Sequence, residues 1–124
     1  MKIEISPIGR VTEVDPPPAE NERFTGRRER IRILPELQEG LTGLQTGKPI
    51  QILFYFHLAR DFTTITFSGH QQKMTGVFNT HSPHRPNRIG VTTVTLLAIE
   101  DGELIVDGAD MLPDTPIIDI KPGY

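Results

Sequence analysis

Cysteine is missing from this 124-residue chain, and so is tryptophan. Without thiols there is no disulfide framework, no thiolate nucleophile and no cysteine-based zinc site, and a cytoplasmic location is expected. Long apolar runs are missing too. The longest, Ile52 to Phe56, falls far short of the roughly 20 residues that cross a bilayer as a helix, and suits a buried strand instead. The amino terminus, MKIEISPIGR, alternates charged and apolar groups and lacks the apolar core of a signal peptide, so no membrane partner is expected. An excess of positive charge is also absent: 13 Lys and Arg against 16 Asp and Glu leave a net charge of −3. That excludes a uniformly basic coat but leaves local clusters open. Arg23, Arg27, Arg28, Arg30 and Arg32 form one, and Arg85 with Arg88 a second. The first reads either as a phosphate-binding patch or as a solvated strand edge offset by Glu22 and Glu29.

What is present is ordinary globular composition, 36% hydrophobic with 11 glycines, in a length that fits one domain over residues 1–124. The pattern along the chain is of short strands. Residues 2 to 14 read as a strand broken at Ser6-Pro7, and Pro16 to Gly26 as a loop, because the proline triplet donates no N–H to a ladder. Arg28 to Leu34 alternates with a period of two that puts Ile31 and Ile33 on one face. Pro35-Glu36-Leu37 opens a helical turn at most, since Gly40, Gly43 and Gly47 follow. Ile50 to Leu58, Phe62 to Phe67, Lys73 to Asn79, Val91 to Ile99, Glu103 to Val106 and Ile117 to Ile120 read as further strands. Asp101-Gly102 signals a type I′ hairpin. The expected class is all-β: a small, mostly antiparallel β-barrel with at most short helical turns.

Several familiar motifs fail. Gly43 to Lys48 is one residue short of a phosphate-binding loop, and Pro49 stands where Ser or Thr would hold magnesium. No glycine fingerprint joins a strand to a helix, which removes a Rossmann site. His81 and His84 are two imidazoles where zinc needs at least three ligands, so no metal is expected.

The informative stretch is Thr80 to Gly90. Pro83 and Pro86 hold Ser82 and Arg85 extended, and this stiff loop carries two imidazoles, two guanidiniums and an amide. Composition alone leaves a ligand-binding loop and a rigid polar surface turn equally open.

The same stretch resembles the most specific block of the TsaA-like (TrmO) family, and other blocks follow suit: Ser6 to Gly9, Arg30 to Glu36, Glu39 to Leu41, Leu53 to His57, Gly76 to Thr80, and Thr115-Pro116 with Asp119 to Pro122. The resemblance implies a dimerising β-barrel that binds S-adenosylmethionine (SAM) near the subunit boundary. It implies methylation of N6 of threonylcarbamoyl-adenosine beside the anticodon of tRNA. Carried over by position, it implies cofactor contacts at His57, Leu58, His81, Val91 and Pro113 to Pro116. Three departures stand out: His81 where the family usually has Arg, Arg88 where it has Pro, and Leu112-Pro113-Asp114-Thr115-Pro116 for Leu-Asp-Gly-Thr-Pro.

Within that reading a carboxylate near the cationic cofactor is wanted, and Asp114 is the candidate. Arg85, Asn87 and Arg88 are candidates for the substrate, with Arg27, Arg28 and Arg30 for phosphates. The N6 proton needs an acceptor, for which His57, His84 and Asp119 qualify. Methylation of another acceptor, or a non-catalytic barrel that binds SAM or nucleic acid, remain the alternatives.

Overall fold

The computed structural model describes residues 1–15 and 27–124, so the early proline loop lies outside the described residues. The strands are β1 (Gly9–Asp15), β2 (Arg27–Ile33), β3 (Pro49–Tyr55), β4 (Ile65–Ser68), β5 (Lys73–Gly76), β6 (Ile89–Glu100), β7 (Glu103–Ala109) and β8 (Pro116–Pro122). Six close into an antiparallel barrel in the order β1-β2-β7-β6-β3-β8, with β8 returning to β1, while β4 and β5 pair as a separate hairpin. This is the all-β barrel that the strand pattern predicts.

Alternation builds the interior. Val11, Ile31, Ile33, Ile50, Ile52, Phe54, Val94, Leu96, Leu104, Val106 and Ile117 point inward and are buried. Each contributes about 1.5–3 kcal/mol by leaving water. Closure leaves none of the six with a free edge. The curvature it needs comes from bulges: one between Val11 and Glu13, one between Leu96 and Ala98, and one opposite Arg27, where Gly108 takes a φ of 91°. Asp101 and Gly102 have φ of 49° and 77°, the double left-handed step of the type I′ turn.

Several elements differ from expectation: β3 ends at Tyr55, short of Leu58, and β4 begins at Ile65 rather than Phe62. The first strand starts only at Gly9, because Pro7 has no N–H to pair. The turn at Pro35 runs on as a seven-residue 3-10 helix to Leu41, whose side chain joins the core. It ends where the Thr42 N–H and hydroxyl both donate to the Glu39 carbonyl, at 3.1 and 2.7 Å. The strand from Lys73 stops at Gly76, and Val77–Asn79 forms a 3-10 turn that buries Val77.

Candidate cofactor cavity at one end of the barrel

One end of the barrel gathers the last residues of β3 and β7, the approach to β8 and the stiff loop. There a cavity of about 280 Å3 is walled by Phe54, Phe56, Met111 and Leu112, with His57, Leu58, His84, Asp110 and Thr115 around it. Local bonding explains the placement. After Tyr55 the chain turns: the Phe56 N–H donates to the Arg88 carbonyl at 2.8 Å, and His57 and Ala59 fold back on Tyr55 and Phe56. On the far wall Thr115 is tied by its hydroxyl to the Leu112 carbonyl at 2.6 Å and by its own carbonyl to the Val11 N–H at 3.0 Å.

The polar loop is ordered by its own side chains. Arg85 spends its guanidinium on the Thr80 and Ser82 carbonyls, at 2.8 and 3.2 Å, and the Ser82 hydroxyl accepts the His84 N–H. His84 Nδ1 accepts the Arg60 N–H at 2.9 Å, so in the neutral ring the proton sits on Nε2. Arg85→Ala should therefore unpin residues 80–85, with backbone amides there exchanging at least tenfold faster with solvent deuterium, a loss of about 1.4 kcal/mol in local closing.

The remaining site candidates lie elsewhere in the single chain. His81 lines a second concavity with Phe67 and Phe78. Val91 is half-exposed on the outer face of β6. Asp114 pairs with Arg10 at 2.8 Å, both well exposed, beside Pro116. Asn87 faces a concavity with the amino-terminal residues and Tyr55. Asp119 is bonded to Lys121 at 3.0 Å on β8. Arg30 and Arg32 face Glu13, Glu100 and Glu103 across the strands. Arg27 is 2% exposed, on the inner face, which removes it as a phosphate contact.

The departures acquire a backbone meaning. Asp114 has φ of 68°, the left-handed region that glycine enters without cost, and the Arg10 pair accompanies its strain. Arg88 has φ of 53°, which a proline ring cannot reach, so the loop leaves its last turn by a path that the usual proline forbids.

The family profile described as "tRNA-methyltransferase O N-terminal domain" matches residues 11–124. This chain belongs to that family. Relatives of the TrmO domain span a range of lengths. A probable S-adenosyl-L-methionine-binding protein of Methanothermobacter thermautotrophicus is 38% identical over all of this chain and 92% of its own length. The human tRNA (adenine(37)-N6)-methyltransferase is 39% identical over 75% of this chain, which spans only 22% of that enzyme. A crystal structure of TrmO aligns with a TM-score of 0.80 at 31% identity, over all of this chain and 58% of that one. TrmO from Pseudomonas aeruginosa aligns with a TM-score of 0.75 at 32% identity, over the whole chain and 57% of its partner in the comparison.

One group behind the cavity was not picked out as a site residue from sequence. Glu29, 1% exposed inside the barrel, accepts the Met111 N–H on Oε2 at 3.0 Å, while Oε1 has no hydrogen-bond partner among the described residues. Its carboxyl is pushed up to about 8, chiefly by burial and also by the Asp110 charge, against the Met111 N–H and Arg27, which pull the other way. The signal was available, because Arg27 and Glu29 share the phase of Ile31 and Ile33 in β2.

Proposed function

We propose that this chain is the SAM-binding domain of a methyltransferase that modifies N6 of threonylcarbamoyl-adenosine beside the tRNA anticodon, working as a homodimer in the cytoplasm. The observation that carries the reading is the family match over residues 11–124, joined to a cavity whose walls suit this cofactor. Phe54, Phe56 and Leu112 offer apolar surface for an adenine, and Asp110 a carboxylate for a cation. The bound cofactor supplies an electrophilic methyl group.

The cavity of about 280 Å3 lies just below the usual range for small-molecule sites, about 300–1,000 Å3, and is open on one side. His81, Val91, Asp114 and Pro116 lie outside it in the single chain. That the cavity is undersized and open is the support for a dimer in which a second copy completes it. Within one chain, His57, Leu58 and Thr115 hold the cofactor end. Transfer would form the N–CH3 bond as the S–CH3 bond of the sulfonium breaks to leave a neutral thioether, and would release the N6 proton, so a base must face the acceptor. Asp119 is engaged with Lys121 on β8, and the neutral His84 carries its proton on Nε2. His57, at the rim, is the acceptor of choice.

Calorimetry with SAM should show one site per chain, and labelled methyl should pass to tRNA from a strain lacking the protein. Binding without transfer to tRNA would leave a non-catalytic barrel; transfer to a small acceptor alone would assign a different substrate.

A further inference from the structure

The connection between β7 and β8 forms one wall of the cofactor cavity, which Asp110, Met111, Leu112 and Thr115 all border. Its second half is fixed by backbone and by its own turn. The Asp114 N–H donates to the Val11 carbonyl at 2.8 Å, the Val11 N–H donates to the Thr115 carbonyl at 3.0 Å, and the Thr115 N–H and hydroxyl both close on the Leu112 carbonyl. Its first half is fixed by a side chain. The ladder between β2 and β7 ends where Arg27 pairs with Ala109, and just beyond it the Met111 N–H donates to Glu29 Oε2 at 3.0 Å. This is a buried bond between residues 82 positions apart. The Met111 side chain packs in the core, so what Glu29 adds is the position of the backbone.

The barrel's core has no need of an acid there. Glu29 shares the inward phase of Ile31 and Ile33, where an aliphatic side chain would pack without a carboxyl losing its water. Oε1 finds no partner among the described residues, so the carboxyl serves one donor rather than a network. Burial keeps it protonated at neutral pH, with Asp110 and Arg27 the charges that act on it. A buried polar group that destabilises the core yet braces the wall of a cavity has the character of a second layer of support for a binding site.

We propose that Glu29 is a positioning residue of the cofactor site: by accepting the Met111 N–H it sets Asp110, Met111 and Leu112 as the wall against which SAM binds. The inference rests on the cofactor reading above and adds what holds the wall in place.

Calorimetry with SAM on the full chain and its Glu29→Gln, Glu29→Leu and Ile50→Val variants decides it, with melting temperature and amide hydrogen exchange followed on the same proteins. The measurement is made at pH 6, below the Glu29 value of about 8. Glu29→Gln keeps an uncharged acceptor and should bind SAM within about twofold of the parent. Glu29→Leu should bind about tenfold more weakly, equivalent to about 1.4 kcal/mol. Its Met111 amide should exchange about tenfold faster than the parent's. Ile50→Val trims the core at the end of β3 away from the cavity, and should lower the melting temperature without changing SAM affinity. Should Glu29→Leu not fold, Glu29→Asp takes its place: it keeps the carboxyl but draws it back by one methylene, and should weaken SAM in the same way. Parent-like SAM affinity without the acceptor overturns the proposal, as does an equal loss in Glu29→Gln or a loss in Ile50→Val that follows its melting temperature. A parent that binds no SAM removes the cofactor reading, and the exchange rate at Met111 then still decides whether this carboxyl holds the wall.

Discussion

Glutamine at position 29 should hold the melting temperature nearly level between pH 5 and pH 9, whereas the parent should lose on the order of 10 °C over the same range. The Glu29 carboxyl titrates at about 8 in the folded barrel against an ordinary value of 4.5. Between those limits the folded state keeps a proton that the unfolded chain releases, so stability falls as pH rises. The contribution is whole below pH 4.5 and gone once pH has passed about 8. At about 1.4 kcal/mol per pH unit, it reaches at most about 4–5 kcal/mol. Glutamine keeps an oxygen for the Met111 N–H and carries no charge at any of these pH values. The variant should therefore match the parent within about 1 kcal/mol at pH 5 and exceed it at pH 9. Parallel decline of the two proteins would show that another group governs the alkaline limb. Glu29→Leu removes the acceptor as well, and should lie about 1–3 kcal/mol below the glutamine variant at every pH.

Gly90→Ala should lower both stability and SAM affinity, because the space for a side chain is taken. A Cβ at Gly90 would lie 2.5 Å from Phe54 Cζ and 2.8 Å from Phe56 Cζ. These rings meet edge to face, with centroids 4.9 Å apart and an interplanar angle of 72°. Phe54 is buried and cannot swing aside, so the added methyl must shift the pair, an overpacking cost of about 1–3 kcal/mol. Both rings wall the cavity, and their displacement should weaken SAM binding at least tenfold in calorimetry, about 1.4 kcal/mol. Phe54→Leu in the same chain should recover part of the lost melting temperature, since neighbouring substitutions that relieve one clash are coupled. Additive losses in the double variant would remove the steric explanation.

The two predictions mark different degrees of legibility. Gly90 stands out in sequence as a glycine between a stiff loop and a strand; that a pair of aromatic rings lies against it is decided by the fold. Glu29 sits in the alternation that exposes Arg28, Arg30 and Arg32 and buries Ile31 and Ile33. A charge cluster read as one surface therefore divides between two faces of a strand. Arg30 and Arg32 then meet the acids of β1, β6 and β7, and Arg27 goes inside.

By itself the sequence determined the all-β class, the type I′ turn at Asp101-Gly102 and the shared face of Ile31 and Ile33. These follow from period-two alternation, proline stops and glycine torsions, all of which act over a few residues. It also carried the family blocks, whose order along the chain needs no coordinates. Only the tertiary structure decided which candidates share a cavity: His57, Leu58, His84 and Thr115 meet, while His81, Val91, Asp114 and Asn87 face other surfaces. The barrel's closure order, bulges and register set which strand ends become neighbours, and those depend on pairings between residues as far apart as Gly9 and Ile117. Local pattern holds no record of such distances.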